Sequence, residues 1–412
     1  MFAQFDLDQA LLGAIQDIGY KKPTSIQELV LPEAMSGKDV LASAPTGTGK
    51  TAAFLLPAAQ HLLDYPRTKP GFPRVLVLTP TRELALQISE QAEALTKHTN
   101  IKTGLITGGV NFGSHKDILT TNTDMLIATP GRLLDYIETE QFDAREIEIL
   151  ILDEADRMLD LGFSETIDRI IAEARWRKQT MLFSATLEGS GVIKFANELL
   201  NDPVYLESNP SRKEKAKIHQ WIHLADDKDH KLELLYNILK QEDVTRAVVF
   251  ANKRETVQTL SGKLFAEGLP CAWLEGKMAQ DKRNNAVDRV KAGKVNILVA
   301  TDVAARGLDI DEISHVINFD MPRKADIHIH RIGRTGRAGN KGTAISLVEA
   351  HDMAVIGKIE RYMEERLARR VIEGLRPKYK EAKIAIKKVK VKRTVGQKKA
   401  KAKKIAKRAK KK

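Results

Sequence analysis

Short runs of apolar, mostly branched residues punctuate this chain at 40–41, 75–78, 125–128, 149–152 and 180–183. After a gap they return at 247–250, 297–300, 316–319 and 344–348. Within each run the apolar character is continuous rather than alternating, as a strand requires when both faces are covered in a parallel sheet. Stretches with helical spacing lie between them, for example 83–95 and 255–267. Strands alternating with helices in two blocks predict two α/β units, each a wound parallel sheet. Between the blocks, Glu207-Ser-Asn-Pro-Ser-Arg-Lys-Glu-Lys-Ala-Lys217 is polar, holds one proline and lacks an apolar run, which predicts an exposed linker. Beyond Leu375 the periodicity fades into Lys, Ala and Val around Pro377 and Gly396. The pattern therefore divides the chain into a first unit 1–207, a linker 208–217, a second unit 218–375 and a tail 376–412 expected to be disordered when unbound.

Charge sharpens this division. The 412 residues sum to +13, yet residues 376–412 alone hold 19 Lys and Arg against one acid, Glu381. That stretch carries +18, so the other 375 residues sum to −5. A near-neutral engine with a basic arm fits this distribution, and such an arm recruits phosphate by counterion release without needing a fold. The competing reading is a solvated tail that aids solubility. Cys271 is the single cysteine, which excludes an intrachain disulfide and a thiolate metal cluster. The opening residues lack a basic, then apolar leader, and nowhere do about 18 apolar residues run together. The expectation is a soluble, cytoplasmic protein with no membrane partner.

Ala44-Pro-Thr-Gly-Thr-Gly-Lys50-Thr51 follows a predicted strand and precedes an apolar helical run. Gly47 and Gly49 let backbone N–H groups face a phosphate at a helix N-terminus. Lys50 would supply charge to the β and γ phosphates of ATP, and Thr51 a hydroxyl to Mg²⁺. A Gly-rich turn that only tightens the junction is the bland alternative, against which the Lys-Thr spacing weighs. Asp153-Glu154-Ala155-Asp156 follows the buried run 149–152, where Asp153 is placed to hold Mg²⁺ and Glu154 to deprotonate the attacking water. By itself that acidic stretch could be an exposed helix N-terminus.

Together these two segments resemble the DEAD-box RNA helicase family, and further family motifs follow in family order over about residues 2–350. The resemblance implies two tandem RecA-like domains with parallel sheets and an RNA-dependent ATPase. Tyr20-Lys-Lys-Pro-Thr-Ser-Ile-Gln27 resembles the Q motif. Tyr20 would stack on adenine and Gln27 read its edge, with Phe2 upstream and Lys22, Thr46, Thr48 and Asp309 among the nucleotide contacts. Pro80-Thr81-Arg82-Glu-Leu, Gly108-Gly109 and Thr129-Pro-Gly-Arg132 resemble the first-half RNA contacts. Ser184-Ala-Thr186 resembles the element coupling ATP to RNA. Gln280-Asp-Lys-Arg283, Ala300-Thr301-Asp-Val-Ala-Ala-Arg306-Gly-Leu-Asp309 and His330-Arg331-Ile-Gly-Arg334-Thr-Gly-Arg337 resemble the second-half motifs. Two departures stand out: Ala44 in place of the first glycine, and Glu275-Gly276 where His-Gly is commoner. The stretches 175–179, 217–221 and 342–351 are similar to a bacterial branch of the family that acts in large-ribosomal-subunit assembly, which implies pre-ribosomal RNA and neighbouring ribosomal proteins as partners.

Only one phosphate loop is present, so the second unit must act on the same nucleotide. Arg334 and Arg337 would reach the γ-phosphate from across the cleft, Gly333 and Gly336 allowing close approach, in a role that can be worth ~10³ to 10⁵ in rate. His330, Arg331 and Asp156 would couple the units, with Arg331 expected to pair with the acids 153–156. Closure would gather Thr81, Arg82, Gly109, Thr129, Arg132, Gln280, Arg283, Thr301 and Arg306 into a strip of donors that grips sugar-phosphate, giving sequence-tolerant binding. Losing three or four stacked pairs at ~1.4 kcal/mol each would cost roughly 4 to 6 kcal/mol, enough to melt short helices locally. The expected protein is a monomeric, ATP-dependent RNA helicase. The alternatives are an ATP-dependent RNA clamp and, less compatible with these motifs, a DNA motor.

Overall fold

The structure, a computed structural model, describes residues 1–378 apart from 46, 110–114, 121, 186–190, 209–217, 277, 306–309, 311 and 337–340. Thr46, Thr186, Arg306, Asp309, Arg337, most of the expected linker and nearly all of the expected tail lie outside the described residues. The first half runs α1 (Gln9–Asp17), α2 (Ser25–Met35), β1 (Val40–Ser43), α3 (Lys50–Asp64), β2 (Val75–Leu78), α4 (Arg82–Thr96), β3 (Thr103–Ile106), α5 (Lys116–Thr120), β4 (Met125–Ala128), α6 (Pro130–Glu138), β5 (Ile149–Leu152), α7 (Ala155–Asp160), α8 (Ser164–Glu173), β6 (Gln179–Ser184), α9 (Val192–Leu199) and β7 (Val204–Glu207). The second half follows with β8 (Ile218–Leu224), α10 (Lys228–Leu239), β9 (Ala247–Phe250), α11 (Arg254–Ala266), β10 (Cys271–Leu274), α12 (Gln280–Lys291), β11 (Ile297–Ala300), α13 (Asp302–Ala305), β12 (His315–Asn318), α14 (Ala325–Ile332), β13 (Gly342–Val348), α15 (Met353–Met363) and β14 (Ala368–Arg369).

All strand pairings are parallel, and the sheets have the orders β3-β4-β2-β5-β6-β1-β7 and β10-β11-β9-β12-β13-β8-β14. Numbered within its own half, each sheet follows the same order, 3-4-2-5-6-1-7. The halves are thus two tandem RecA-like domains. The continuous apolar runs have a direct cause. Val75 and Val77 enter one apolar cluster while Leu76 and Leu78 enter another on the opposite face, and Val248 and Val249 divide in the same way. Helices cover both faces, so each such side chain leaves water at about 1.5–3 kcal/mol.

In a parallel sheet every strand releases its loop at the same edge, which is where ligands meet such folds. In the first half that edge carries 44–45, 47–49, 79–82, 107–109 and 153–154; in the second it carries 251–252, 301 and 319–320. The strands missing from the sequence pattern are β3, β7, β8, β10 and β14, four of them at sheet ends. No helix among the described residues is long and apolar enough to cross a membrane.

Candidate functional site

The phosphate loop leaves β1 and enters α3 through two glycines with left-handed backbone, Gly47 at φ +81° and Gly49 at φ +91°. A Cβ on Gly49 would lie 2.6 Å from the Gln27 amide nitrogen and 3.1 Å from the Thr24 hydroxyl. Glycine is therefore required both by conformation and by the close approach of α2. Gln27 donates to the Gly49 carbonyl at 3.0 Å and accepts from the Thr24 N–H at 2.9 Å. The expected reader of the adenine edge is thus tied to the phosphate loop, and each end of its amide retains further bonding capacity. Lys50 is buried and donates to the Ala44 carbonyl at 2.6 Å, while the Thr48 hydroxyl donates to the Pro45 carbonyl at 2.8 Å. Tyr20 is half-buried, its hydroxyl accepting from Gln91 on α4 at 2.8 Å, and Lys22 is exposed just ahead of α2. Phe2 is 5% exposed and packs in the apolar core with Phe5 and Leu7.

The acids follow β5 onto the same edge. Asp153, Glu154 and Asp156 are all buried, and Glu154 adopts φ +54° at the start of α7. Asp153 accepts from the Glu154 N–H at 2.9 Å. Burial pushes its carboxyl up to about 7, with the Lys50 charge opposing and Glu154 adding to the rise. Burial likewise raises Asp156, reinforced by Glu154 and opposed by Arg157 and Lys50. Buried carboxylates at a cationic loop fit a divalent cation. Thr51 and Asp153 offer only hard oxygen donors, the chemistry of Mg²⁺ rather than of a softer metal. Arg157, which sequence reasoning missed, is buried and places Nη1 2.6 Å from the Glu154 carboxylate. Its position three residues along one helix was the available signal.

The donors expected to grip nucleic acid stand beside this pocket. Thr81 caps α4 by accepting from the Leu84 N–H at 3.3 Å. The Gly108 N–H donates to the Thr129 hydroxyl at 3.2 Å. Gly109, at φ +75°, lies under the Arg82 guanidinium, which a Cβ there would meet at 1.7 Å. Burial lowers the Arg82 pKa, Glu83 opposes the shift, and the charges of Arg132 and Arg283 add to it. Arg283 comes from the second half, so cations of both halves converge. It forms an ion pair with Glu83 and donates to the Ala304 carbonyl at 2.7 Å. Thr301 is buried, its hydroxyl without a hydrogen-bond partner among the described residues. The Gln280 side chain lies outside the described residues.

Two further contacts cross between the halves. His330 Nε2 is 3.7 Å from Asp156, and Lys324 Nζ is 3.2 Å from Asp160. Arg331 does not meet the acids 153–156 as expected. It is buried in the second half, bidentate on Asp302 at 2.6 and 2.9 Å, and also donates to Asn318, the Asp320 carbonyl and Asn252 at 3.0, 2.6 and 2.8 Å. The physical reason is helical phase. Adjacent residues on α14 point about 100° apart, so His330 faces the cleft and Arg331 faces its own sheet. Arg334 is buried just past α14, its Nε 3.4 Å from the His330 carbonyl, in a narrow cleft with Arg157, Ile327 and His330. Ser184, at the end of β6, is fully buried behind the acids.

Comparison with known proteins agrees with this geometry. The family model for the DEAD/DEAH box helicase matches residues 24–195, and that for the helicase conserved C-terminal domain matches residues 230–339. The ATP-dependent RNA helicase SrmB of Haemophilus influenzae is 58% identical over 379 residues, 92% of this chain and 86% of that protein. SrmB of Escherichia coli is 58% identical over 377 residues, 92% and 85% of the two chains. Among solved structures, S. cerevisiae Dbp5 bound to RNA and ADP BeF3 superimposes with a TM-score of 0.79 at 30% identity, over 90% of this chain and 95% of that one.

Proposed function

Because the chain belongs to the DEAD-box helicase family, an ATP-dependent RNA helicase whose substrates are ATP and RNA, we propose that hydrolysis takes place in the cleft between its halves and requires their closure. The observation carrying this reading is the pair of contacts Asp156–His330 and Asp160–Lys324, which set the helix following the acids against α14 of the second half, with Arg157 and Arg334 lining the cleft between them. We divide the chain into working units at 1–207 and 218–375, joined by 208–217 and followed by the tail 376–412.

Adenine stacks on Tyr20, with Gln27 and Lys22 at its edge. The loop amides at 46–49 and Lys50 hold the phosphates at the start of α3, where the helix dipole favours negative charge. Thr51 and Asp153 would hold Mg²⁺, which supplies charge neutralisation at the β and γ phosphates when bound. Glu154 takes the proton of the attacking water. Its carboxylate is kept near by Arg157, which fixes the direction from which the base works. Arg334 stabilises charge developing on the transferred phosphoryl group, with Arg337 and Asp309 expected beside it. ADP and phosphate are the products. Ser184, Thr186, Asp156 and His330 transmit the state of this site to the nucleic-acid strip.

That strip comprises Thr81, Arg82, Gly109, Thr129 and Arg132 with Arg283, Thr301, Gln280 and Arg306. Its donors address phosphate and sugar, so RNA is held without sequence readout. Since the strip is complete only when the halves meet, ATP binding and RNA gripping favour each other, by equal factors. Similarity to the ribosome-assembly branch and identity to two SrmB proteins support pre-ribosomal RNA as the target, with ribosomal proteins nearby in the cytoplasm and the chain working as a monomer.

Steady-state ATP turnover without nucleic acid, with RNA and with DNA, repeated for Glu154→Gln, tests the reading. Stimulation by RNA and its loss in Glu154→Gln are expected. Turnover by Glu154→Gln at the parental rate refutes the base assignment, and ATP-dependent gripping of RNA without duplex separation would leave a clamp.

A further inference from the structure

Helices α7 and α14 face each other across the cleft and run in opposite senses. Near the start of α7, Asp156 meets His330 near the end of α14; at the end of α7, Asp160 meets Lys324, the residue capping the start of α14. Arg157 and Ile327 line the cleft between these contacts. The Arg283–Glu83 pair joins the halves elsewhere, and a single contact at this edge would leave α14 free to pivot. Two rungs, at opposite ends of both helices, fix the angle between the halves as well as their distance.

We propose that Asp160 and Lys324 are positioning residues for the ATPase reaction, the outer rung of a ladder that holds α14 at the angle from which Arg334 meets the γ-phosphate. The two charges are poorly placed within their own halves. Lys324 stands at the positive end of α14 and Asp160 at the negative end of α7, where each disfavours its own helix. Across the cleft each is compensated by the other, so the sense of the pairing is interdomain. Arg334 follows the helix rigidly, because it lies four residues beyond His330 with its Nε on the His330 carbonyl. The inner rung sits among the acids, whereas the outer rung has 51% and 30% side-chain exposure and is reached by salt.

The inference rests on Arg334 acting at the γ-phosphate, and the test separates the two. In the full chain, Asp160→Lys, Lys324→Asp and the double reversal are compared for ATP turnover at saturating RNA, for nucleotide affinity without RNA and for the unfolding midpoint. Exposed pairs of this kind support effects of about two- to fivefold, so each single reversal should lower RNA-stimulated kcat by about that factor or somewhat more. The double reversal should restore it, and raised salt should shrink the difference. RNA-free nucleotide affinity should stay unchanged, and the unfolding midpoint should not fall, since each reversed charge suits the end of the helix it stands on. A double reversal no better than the poorer single variant overturns the ladder, as does a parallel fall in the unfolding midpoint. Arg334→Ala turning over at the parental rate would instead break the reading on which it rests.

Discussion

Replacing Gly109 by alanine isolates one contact of the nucleic-acid strip. The added methyl would stand 1.7 Å from Nη1 of Arg82 and 2.1 Å from its Cζ. These atoms are the far end of a flexible side chain, so the guanidinium moves rather than the backbone. The left-handed backbone at φ +75° adds roughly 1 kcal/mol of strain, which lowers the unfolding midpoint by a few degrees. Gly37 is the matched control, having φ +80° and nothing within 4 Å of an added Cβ. Gly37→Ala should show the strain and leave RNA binding intact. Displacing Arg82 removes a charged hydrogen bond to phosphate, about 1.5–3 kcal/mol, so RNA affinity should fall about tenfold or more. On a single strand the slope of log K against log salt should lose about 0.7 of its magnitude. Fluorescence anisotropy with labelled RNA and an ATP analogue, across a salt series, measures both. Arg82→Ala should reproduce the loss, and Arg82→Ala with Gly109→Ala should add nothing. Additive losses, or an unchanged slope, would refute the argument.

Arg331→Met should leave the half-buried Asp302 and the buried Asn318 side-chain oxygen without their donor and cost about 3 kcal/mol of second-half stability, read by calorimetry, while nucleotide binding to the first half persists. His328 is buried against Gln220, and burial depresses its pKa from 6.5 to about 3. Between those values the unfolded chain binds a proton that the folded chain refuses. Stability is therefore full above pH 6.5 and declines as pH falls, by about 2 kcal/mol at pH 5. Urea unfolding at several pH values should show this slope, and His328→Gln should remove it. Deletion of 379–412 removes 17 Lys and Arg against one acid. It should flatten the salt dependence of RNA binding and leave RNA-free ATP turnover unchanged; an unchanged salt slope would reduce the tail to a solubility device. The cut belongs at 379, because Lys378 N–H donates to Asp226 at 2.9 Å and Ile372 and Leu375 pack on the second core.

The strands legible in the sequence were those buried on both faces. At 75–78 and 149–152 the apolar runs coincide with β2 and β5, because every position there meets an apolar cluster. β3 and β7 alternate in burial at the ends of the sheet, and their apolar runs are cut short by Thr103 and Gly104 at the start of β3 and by the exposed Glu207 at the end of β7. β8 was hidden for the same reason, with His219 exposed and Gln220 half-buried along it. Within the site, the phosphate loop and acids were readable because chemistry dictates both spacing and residue type. Glu83, Arg157, Asp160 and Asp302 were not, since their meaning depends on which distant cation each one meets. The assignment of Arg331 failed through helical phase, which a motif written as a string does not display.

The register of the sheets also dictates when this protein can become active during its own synthesis. β1 carries the phosphate loop and is held between β6 and β7, Val40 lying opposite Met181 and Val204. The strand that emerges first from the ribosome therefore has no partner until residues near 184 have followed it, and is paired on both edges only after residue 207. The second half repeats the arrangement, with β8 waiting for β13 and β14. Such long-range pairing is slow to form and leaves an apolar edge exposed to other chains in the interval. Each sheet is completed by its last strands, so assembly advances in two late steps, and a nascent chain stalled before the first of them has no folded ATP site to engage RNA.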